Sequence, residues 1–269
     1  MKYINKLVLL MLLLIGAGEN INAANNNEKP KDSGLRVMTY NVHHCNPPSE
    51  GSKIDLAAIA RVINAAKPDL VALQEIDVHT SRSGKEMHQA RELARLTGMY
   101  SFFAKGIDFQ GGEYGIAVLS KYPVLDSVAY ALPMQEGAGG EPRALAVITV
   151  ALKDGRKVKF AATHLDLKPE NRMLQVQKIA ELFKNEKQPV ILCGDFNAVP
   201  GSEPINYTDQ FFKRSCMQNC APTIPVINPD REIDFIMYTP SIIKVLSHQV
   251  ISETYASDHL PVVAELKLK

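Results

Sequence analysis

The sequence predicts one α/β domain built as a four-layer sandwich, with two mixed β-sheets inside and helices outside. Three observations predict it. Apolar, β-prone runs recur from residue 35 to the C-terminal end. Two helical patterns interrupt them. Asp154-Gly155 separates two of the runs and marks a tight hairpin over residues 144–163. Hairpins mixed with helices require a mixed sheet with helices packed on its outer faces. A chain of 269 residues suits one large domain or two small ones, and it contains no repeat.

In chain order, strands are expected at Leu35–Tyr40, Leu70–Leu73, Gly115–Leu119, Ala144–Leu152, Val158–Thr163 and Val190–Cys193. Three more are expected at Ile233–Tyr238, Ile243–Ile251 and Pro261–Leu268. Leu56, Ile59, Ala60 and Ile63 fall at i, i+3, i+4 and i+7 and give one apolar helix face; Val176, Ile179, Ala180 and Phe183 repeat that spacing.

Ahead of this domain, Lys2 and Lys6 precede an apolar run from Leu7 to Ile15, and a polar stretch ends in Ala23-Ala24. This is the charged, apolar and small-residue order of a secretory signal peptide, expected over residues 1–23. The run is shorter than the roughly 20 residues of a membrane span. No Cys lies near the cleavage point to carry a lipid. Residues 24–34 are polar, hold Pro30 and are expected to be a linker before a domain over 35–269. The product is expected to be secreted or periplasmic, monomeric and without a stable membrane span. Export permits disulfides. Cys216 and Cys220 are close enough to pair, whereas Cys193 lies in an apolar run and is expected to be a buried thiol.

Formal net charge is +1, and without Lys2, Lys6 and Glu19 the remaining chain holds 28 basic and 28 acidic side chains. Neutrality argues against a tight, sequence-blind clamp on nucleic acid, which is usually clearly basic.

The chemistry is expected where strands end. Met38-Thr39-Tyr40 leads into Asn41-Val42-His43-His44, Val71-Ala72-Leu73 into Gln74-Glu75, and Phe160–Thr163 into His164-Leu165-Asp166. Val190–Leu192 leads into Gly194-Asp195-Phe196-Asn197, and Ser257-Asp258-His259 directly precedes Leu260-Pro261-Val262. Strand interiors cannot bury such groups without a large desolvation cost, but strand ends can carry them. Singly, each has an ordinary reading: Gly194–Asn197 as a turn, Gln74-Glu75 as a solvated strand end. His79, His88 and His248 are left as surface or packing residues. Asp234, inside an apolar run, needs a partner, and His259 is the candidate. Together the clusters supply carboxylates, amides and imidazoles. Hard oxygen donors suit Mg²⁺ or Mn²⁺, and no closely spaced His/Cys set for Zn²⁺ is present. The set fits metal-assisted hydrolysis of a phosphate ester.

Taken in order, Thr39–Val42, Leu73–Glu75, Thr163–Leu165, Gly194–Asn197, Ile233–Ile236 and Ser257–Pro261 resemble the successive motifs of the endonuclease/exonuclease/phosphatase superfamily. The likeness runs from about residue 35 to the end. It implies a deoxyribonuclease I-like fold and Mg²⁺-dependent phosphoester hydrolysis. It also implies a metal held by Glu75 with Asn41 and Asp258 near it, and Asp195 orienting or deprotonating the attacking water. His164 and Asn197 would hold phosphate oxygens. His259, oriented by Asp234, would bind the phosphate or act as acid–base partner. Arg143, in Glu141-Pro142-Arg143-Ala144, is placed to reach the phosphate, though a solvated Arg is an equal reading. Where some family nucleases have an acidic residue two positions after the motif Asn, this chain has His43. The Tyr40–His44 run and Gly111-Gly112-Glu113-Tyr114-Gly115 look more like exported bacterial members than abasic-site nucleases. The expected substrate is a phosphodiester, nucleic acid included. A phospholipid headgroup or a small phosphomonoester is the alternative, and a non-catalytic binding module is the competing class.

Overall fold

The computed structural model describes residues 34–269. The expected signal peptide, and the linker up to residue 33, lie outside the described residues. Among those described, twelve strands form two six-stranded sheets. The first sheet runs β11 (Ile243–Val250), β12 (Val262–Leu268), β1 (Leu35–Asn41), β2 (Leu70–Val78), β4 (Gly112–Ser120) and β3 (Tyr100–Phe109). The second runs β5 (Val124–Ala131), β6 (Ala144–Ala151), β7 (Lys157–His164), β8 (Val190–Asp195), β10 (Asp234–Tyr238) and β9 (Lys213–Arg214). Each sheet is antiparallel except at its centre, where β1 pairs with β2 and β7 with β8 in parallel. A parallel pair needs a crossover. Helix α1 (Leu56–Ala66) follows β1, and helix α3 (Pro169–Phe183) follows β7.

Apolar burial divides into three layers. Val37, Leu70, Ala72 and Val118 of the first sheet meet Ile148, Phe160, Ala162 and Ile191 of the second in the central core. The outer face of the first sheet, through Met38, Leu73 and Leu119, packs against Ile59 and Ile63 of α1 and Leu93 of α2 (Gln89–Thr97). The outer face of the second, through Leu145, Leu192 and Met237, packs against Val176 and Ile179 of α3 and Ile205 of α4 (Glu203–Thr208). The helix, sheet, sheet, helix order is the four-layer sandwich expected. Because central strands are covered on both faces, they read as continuous apolar runs rather than alternating ones.

Local chemistry sets the helix ends. Asp55 accepts the Ala58 amide at 2.9 Å to start α1, and α2 stops at Gly98 with φ +67°. The expected hairpin forms between β6 and β7, with Leu145 opposite Thr163 and Ala151 opposite Lys157. The strands missing from the sequence reading are β3, β5 and the two-residue β9. In β3, Lys105 and Gly106 interrupt the apolar pattern at a bulge. The edge strand β5 is broken up by Asp126 and Ser127. Helices α2 and α4 are also absent from the sequence reading, since Ala90 and Ala94 mark the buried face of α2 only weakly and α4 is six residues long. Cys216 and Cys220 are disulfide-bonded, and Cys45 and Cys193 are buried thiols.

One glycine fixes how closely β7 and β8 approach. A Cβ on Gly194 would fall inside van der Waals contact with the Thr163 carbonyl oxygen, a backbone atom that cannot swing away. Gly194→Ala is therefore expected to destabilise the fold by about 1–3 kcal/mol or more, as overpacking does. Urea unfolding of this variant beside wild type is the check, and an unchanged midpoint would contradict the fit described.

Candidate active site

The parallel strands deliver their C-terminal ends to one rim of the sandwich, and the polar clusters sit there. In the second sheet, β7, β8 and β10 align His164 with Asp195 and Asp195 with Asp234, so three ionisable side chains stand in one rank across neighbouring strands. Phe196 N–H bonds to Ile233 O at 2.8 Å and continues the pairing past the strand end. In the first sheet, β1 and β2 bring Asn41 beside Gln74. At Glu75 the β2–β4 register shifts by one residue and the backbone takes φ +62°. A bulge of this kind re-aims a side chain. It also accounts for an unfavourable left-handed φ on a non-glycine residue.

The two walls meet through Asn41. Its Nδ2 donates to Glu75 Oε1 at 3.1 Å and, across the sandwich, to Asp195 Oδ2 at 3.1 Å. Its Oδ1 accepts the His43 amide at 3.1 Å. Asp195 is almost fully buried; Oδ1 accepts the Asn197 N–H at 2.8 Å, while Oδ2 lies 3.5 Å from His164 Nε2 and 3.8 Å from His259 Nε2. His259 enters from the segment before β12, and its Nδ1 lies 2.9 Å from Asp234 Oδ2, the partner that the sequence required.

Burial and charge set the protonation of this group. Burial and the neighbouring Asp234 carboxylate push the Asp195 carboxyl up. Burial disfavours the His259 cation, but Asp234 and then Asp195 outweigh it and raise His259 above the ordinary histidine value. His164 goes the other way. Burial and the Arg143 guanidinium push it down to about 3. Arg143 Nη1 lies 3.3 Å from His164 Nδ1, and an arginine can only donate. Nδ1 must therefore accept, and the proton of the neutral ring sits on Nε2. Burial pushes Glu75 up, yet His44, His164 and the Asn41 amide hold it well below the usual carboxylate range. His44 Nδ1 stands 3.9 Å from Glu75 Oε2, beyond ordinary hydrogen-bond distance.

Other expected residues are nearby but engaged differently. Asn197, at φ +48°, donates Nδ2 to Leu165 O at 2.8 Å. Asp258 is half-buried; Ser257 Oγ reaches its Oδ1 at 3.4 Å and the Asn41 carbonyl at 2.7 Å, which ties this segment to β1. Arg143 is no solvated side chain: it is 9% exposed and pairs with Glu141 at 3.0 Å. His79, His88 and His248 lie apart, with His88 capping α2 and His248 bonded to Ser215 Oγ.

The sequence reading missed two supports. Thr223 donates Oγ1 to Asp234 Oδ2 at 2.5 Å and comes from a loop with no pattern to mark it. Asp166 and Asn171, both buried, tie down the loop that carries Glu141: Asp166 Oδ2 accepts the Glu141 N–H at 2.8 Å and Asn171 Nδ2 at 3.0 Å. Asp166 ended the His164-Leu165-Asp166 cluster, so its signal was present without its role.

The donor set fits a hard cation. Glu75, the Asn41 amide oxygen and Asp258 are oxygen donors, and among the described residues Glu75 Oε2 accepts no hydrogen bond within 3.5 Å. Mg²⁺ is held by one or two carboxylates with waters completing its shell. Asp195, Asp234 and His259 also bring ligand atoms within 4.8 Å of one another, all buried, and could hold a metal ion. There the charges already answer each other through the His259–Asp234 bond.

The endonuclease/exonuclease/phosphatase family profile matches residues 38–259, from β1 to His259. This chain belongs to that family. Its members are metal-dependent hydrolases of phosphate esters. A phospholipase C of Staphylococcus aureus is 23% identical over 226 residues, covering 75% of this chain and 68% of the relative. A family crystal structure from Beutenbergia cavernae superposes with a TM-score of 0.72 at 25% identity, covering 88% of this chain and 72% of that one. A mannosyl-6-phosphatase from Bacteroides thetaiotaomicron shares the fold, with a TM-score of 0.70 at 20% identity over 86% of this chain and 99% of that one. Among the described residues of this family member, no helix is long and apolar enough to cross a membrane.

Thr223→Val keeps the shape of the side chain and strands a buried carboxylate with one donor fewer. It is expected to cost about 1.5–3 kcal/mol, the range for a hydrogen bond to a charged group. Chemical denaturation measures this, and a loss below about 0.5 kcal/mol would show that Asp234 does not depend on the threonine.

Proposed function

We propose that this chain is an exported, Mg²⁺- or Mn²⁺-dependent phosphodiesterase. One observation carries the reading. His164, Asp195 and Asp234 in one rank on one sheet, joined by His259 from the segment before β12, face Asn41 and Glu75, and Asn41 bonds to both Glu75 and Asp195. Such a cleft can grip a phosphate from one wall and a cation from the other.

Glu75, Asn41 and Asp258 would hold the cation, which when bound polarises a phosphoryl oxygen and offsets the charge of the phosphate. His164, with its proton on Nε2, donates to a phosphate oxygen, and Asn197 and Arg143 steady the same group. Asp195, fixed by the Asn197 amide and by Asn41, orients the attacking water and takes its proton. Asp234 holds His259 by Nδ1, which leaves Nε2 to face the phosphate or to exchange a proton. A lipid-headgroup diesterase is the second reading, favoured by the likeness to a staphylococcal phospholipase C.

A substrate panel of plasmid DNA, RNA, sphingomyelin, phosphoinositides and an aryl phosphodiester, run with Mg²⁺ or Mn²⁺ and with chelator, tests the proposal. Hydrolysis should vanish in EDTA and in Glu75→Ala. Asp195→Asn and His259→Ala should each lower kcat by roughly 10²-fold or more while the protein stays folded. The double variant should lose less than the product of the single losses, because the groups act as one unit. Full activity in chelator, or near-wild-type turnover in either folded single variant, would overturn the mechanism in favour of a binding module.

Export is inferred from the order of Lys2 and Lys6, the Leu7–Ile15 run and Ala23-Ala24. The mature protein from its host is expected to begin at Ala24 or Asn25. An intact Met1 in mass spectra of that protein would end the inference.

A further inference from the structure

The Tyr40-Asn41-Val42-His43-His44 run holds a side chain that the chemistry above leaves without a task, His44. Its backbone is unusual. His43, His44 and Cys45 take φ +47°, +43° and +59°, three consecutive non-glycine residues in the left-handed region. Such a run is costly and persists only where its surroundings impose it. Here they do. Gln89, fully buried on α2, donates Nε2 to the His44 carbonyl at 2.7 Å. The His43 amide donates to Asn41 Oδ1 at 3.1 Å, and the Cys45 amide to Val42 O at 2.8 Å. The Asp55 amide, just ahead of α1, donates to the Cys45 carbonyl at 2.7 Å.

This turn sets His44 Nδ1 3.9 Å from Oε2 of Glu75, the residue that the β2 bulge also holds at a left-handed φ. Both atoms are unpartnered. Nδ1 is buried with no hydrogen-bond partner, and Oε2 accepts no hydrogen bond, among the described residues. The gap is held from both sides. Asn41 Nδ2 anchors Glu75 through Oε1 at 3.1 Å. The His44 ring stands edge-to-face against the His43 ring, 4.5 Å between centroids, and His43 Nδ1 is fixed 2.9 Å from Asn46 O. For a hydrogen bond the separation is about 1 Å too long. For two ligands of one ion it is within reach, since metal–nitrogen and metal–carboxylate bonds of about 2.0–2.2 Å allow the two atoms to stand up to about 4.2 Å apart. Two strained residues from different segments, facing each other through unpartnered ligand atoms, are what a site preorganised for an ion requires.

A nitrogen ligand changes which ion the site prefers. Mg²⁺ is held by carboxylates and waters, whereas imidazole suits first-row transition ions. A ligating imidazole is neutral, so its proton would lie on Nε2 and Nδ1 would face the metal. We infer that His44 Nδ1 is a ligand of the cation held by Glu75, and that it tunes this site toward a first-row transition ion, Mn²⁺ over Mg²⁺. The inference rests on Glu75 as the metal ligand of the function proposed above, and it narrows the ion which that function uses.

The test is binding rather than turnover. Mn²⁺ titrated into the metal-free protein and followed by electron paramagnetic resonance gives Kd, and competition with Mg²⁺ gives the preference. Pulsed resonance on protein labelled with ¹⁵N-histidine shows whether an imidazole is bonded to the ion. Wild type should show histidine coupling and bind Mn²⁺ at least about 10-fold more tightly than Mg²⁺. His44→Asn suits the left-handed backbone. In it the coupling should vanish and Mn²⁺ should bind about 10-fold to 100-fold more weakly, with Mg²⁺ changed by less than about threefold. The coupling should survive in His164→Asn and His259→Asn, so its assignment does not hang on the folding of one variant. No histidine coupling in wild type, its persistence in folded His44→Asn, its loss in His164→Asn or His259→Asn, or a Kd for Mn²⁺ in His44→Asn within about twofold of wild type overturns the ligand. Mg²⁺ competing on equal terms with Mn²⁺ overturns the tuning. Glu75→Gln separates the two readings. Unchanged Mn²⁺ binding in that variant overturns the metal site at Glu75 itself, whereas binding lost there and kept in His44→Asn overturns His44 alone.

Discussion

The site depends on one constraint: Asp195 is a carboxylate at the buried end of the central strand of an apolar sheet, and a charge there must be answered from every side. The answers come from separate parts of the chain. Asn197 supplies a backbone N–H, Asn41 reaches across from the other sheet, and two imidazoles face the outer oxygen. Each partner needs support of its own. His259 is held by Asp234, Asp234 by Thr223, and the segment carrying His259 by Ser257 against the Asn41 carbonyl. The contacts that arrange the cleft are thus the same ones that let its charges be buried, which is why polar side chains cluster where the apolar strands end.

The desolvation argument made much of this legible in advance. Apolar runs followed by short polar clusters marked Asn41, Glu75, His164 and Asp195, a polar cluster just ahead of such a run marked His259, and the cost of Asp234 inside a strand named its partner. The central strands were legible because burial on both faces writes them as unbroken apolar runs. What escaped was set by tertiary context. Strand β3 owes its place to the neighbouring β4 rather than to its own pattern, and the edge strand β5 carries polar residues that only an edge tolerates. The bulge that turns Glu75 toward the cleft leaves no trace in composition. Thr223 and Asn171 act through loops whose path no periodicity encodes, so the supports behind the reactive groups became visible only in three dimensions.

Both sheets repeat one plan, a parallel central pair with antiparallel strands on either side, and each plan delivers half of the cleft. Neither half is sufficient. Asn41 and Glu75 belong to one sheet, and His164, Asp195 and Asp234 to the other. The Asp234–His259 pair is completed from the run into β12, which returns to the first sheet. On the function proposed, a phosphate at this rim would be held between two rigid walls rather than on one mobile loop, the arrangement that keeps reacting groups in register.

The position of β12 also governs when the protein can come to life. This strand lies between β11 and β1, so residues 262–268 must be inserted beside residues 35–41 before the first sheet is continuous. Asn41 and Asp195 meet over a separation of 154 residues. Contacts this distant along the chain form late and slowly. An emerging nascent chain therefore holds no assembled cleft before residues 259–268 have been made. The polar groups of the rim thus come together only once strand β12 is free to close the first sheet.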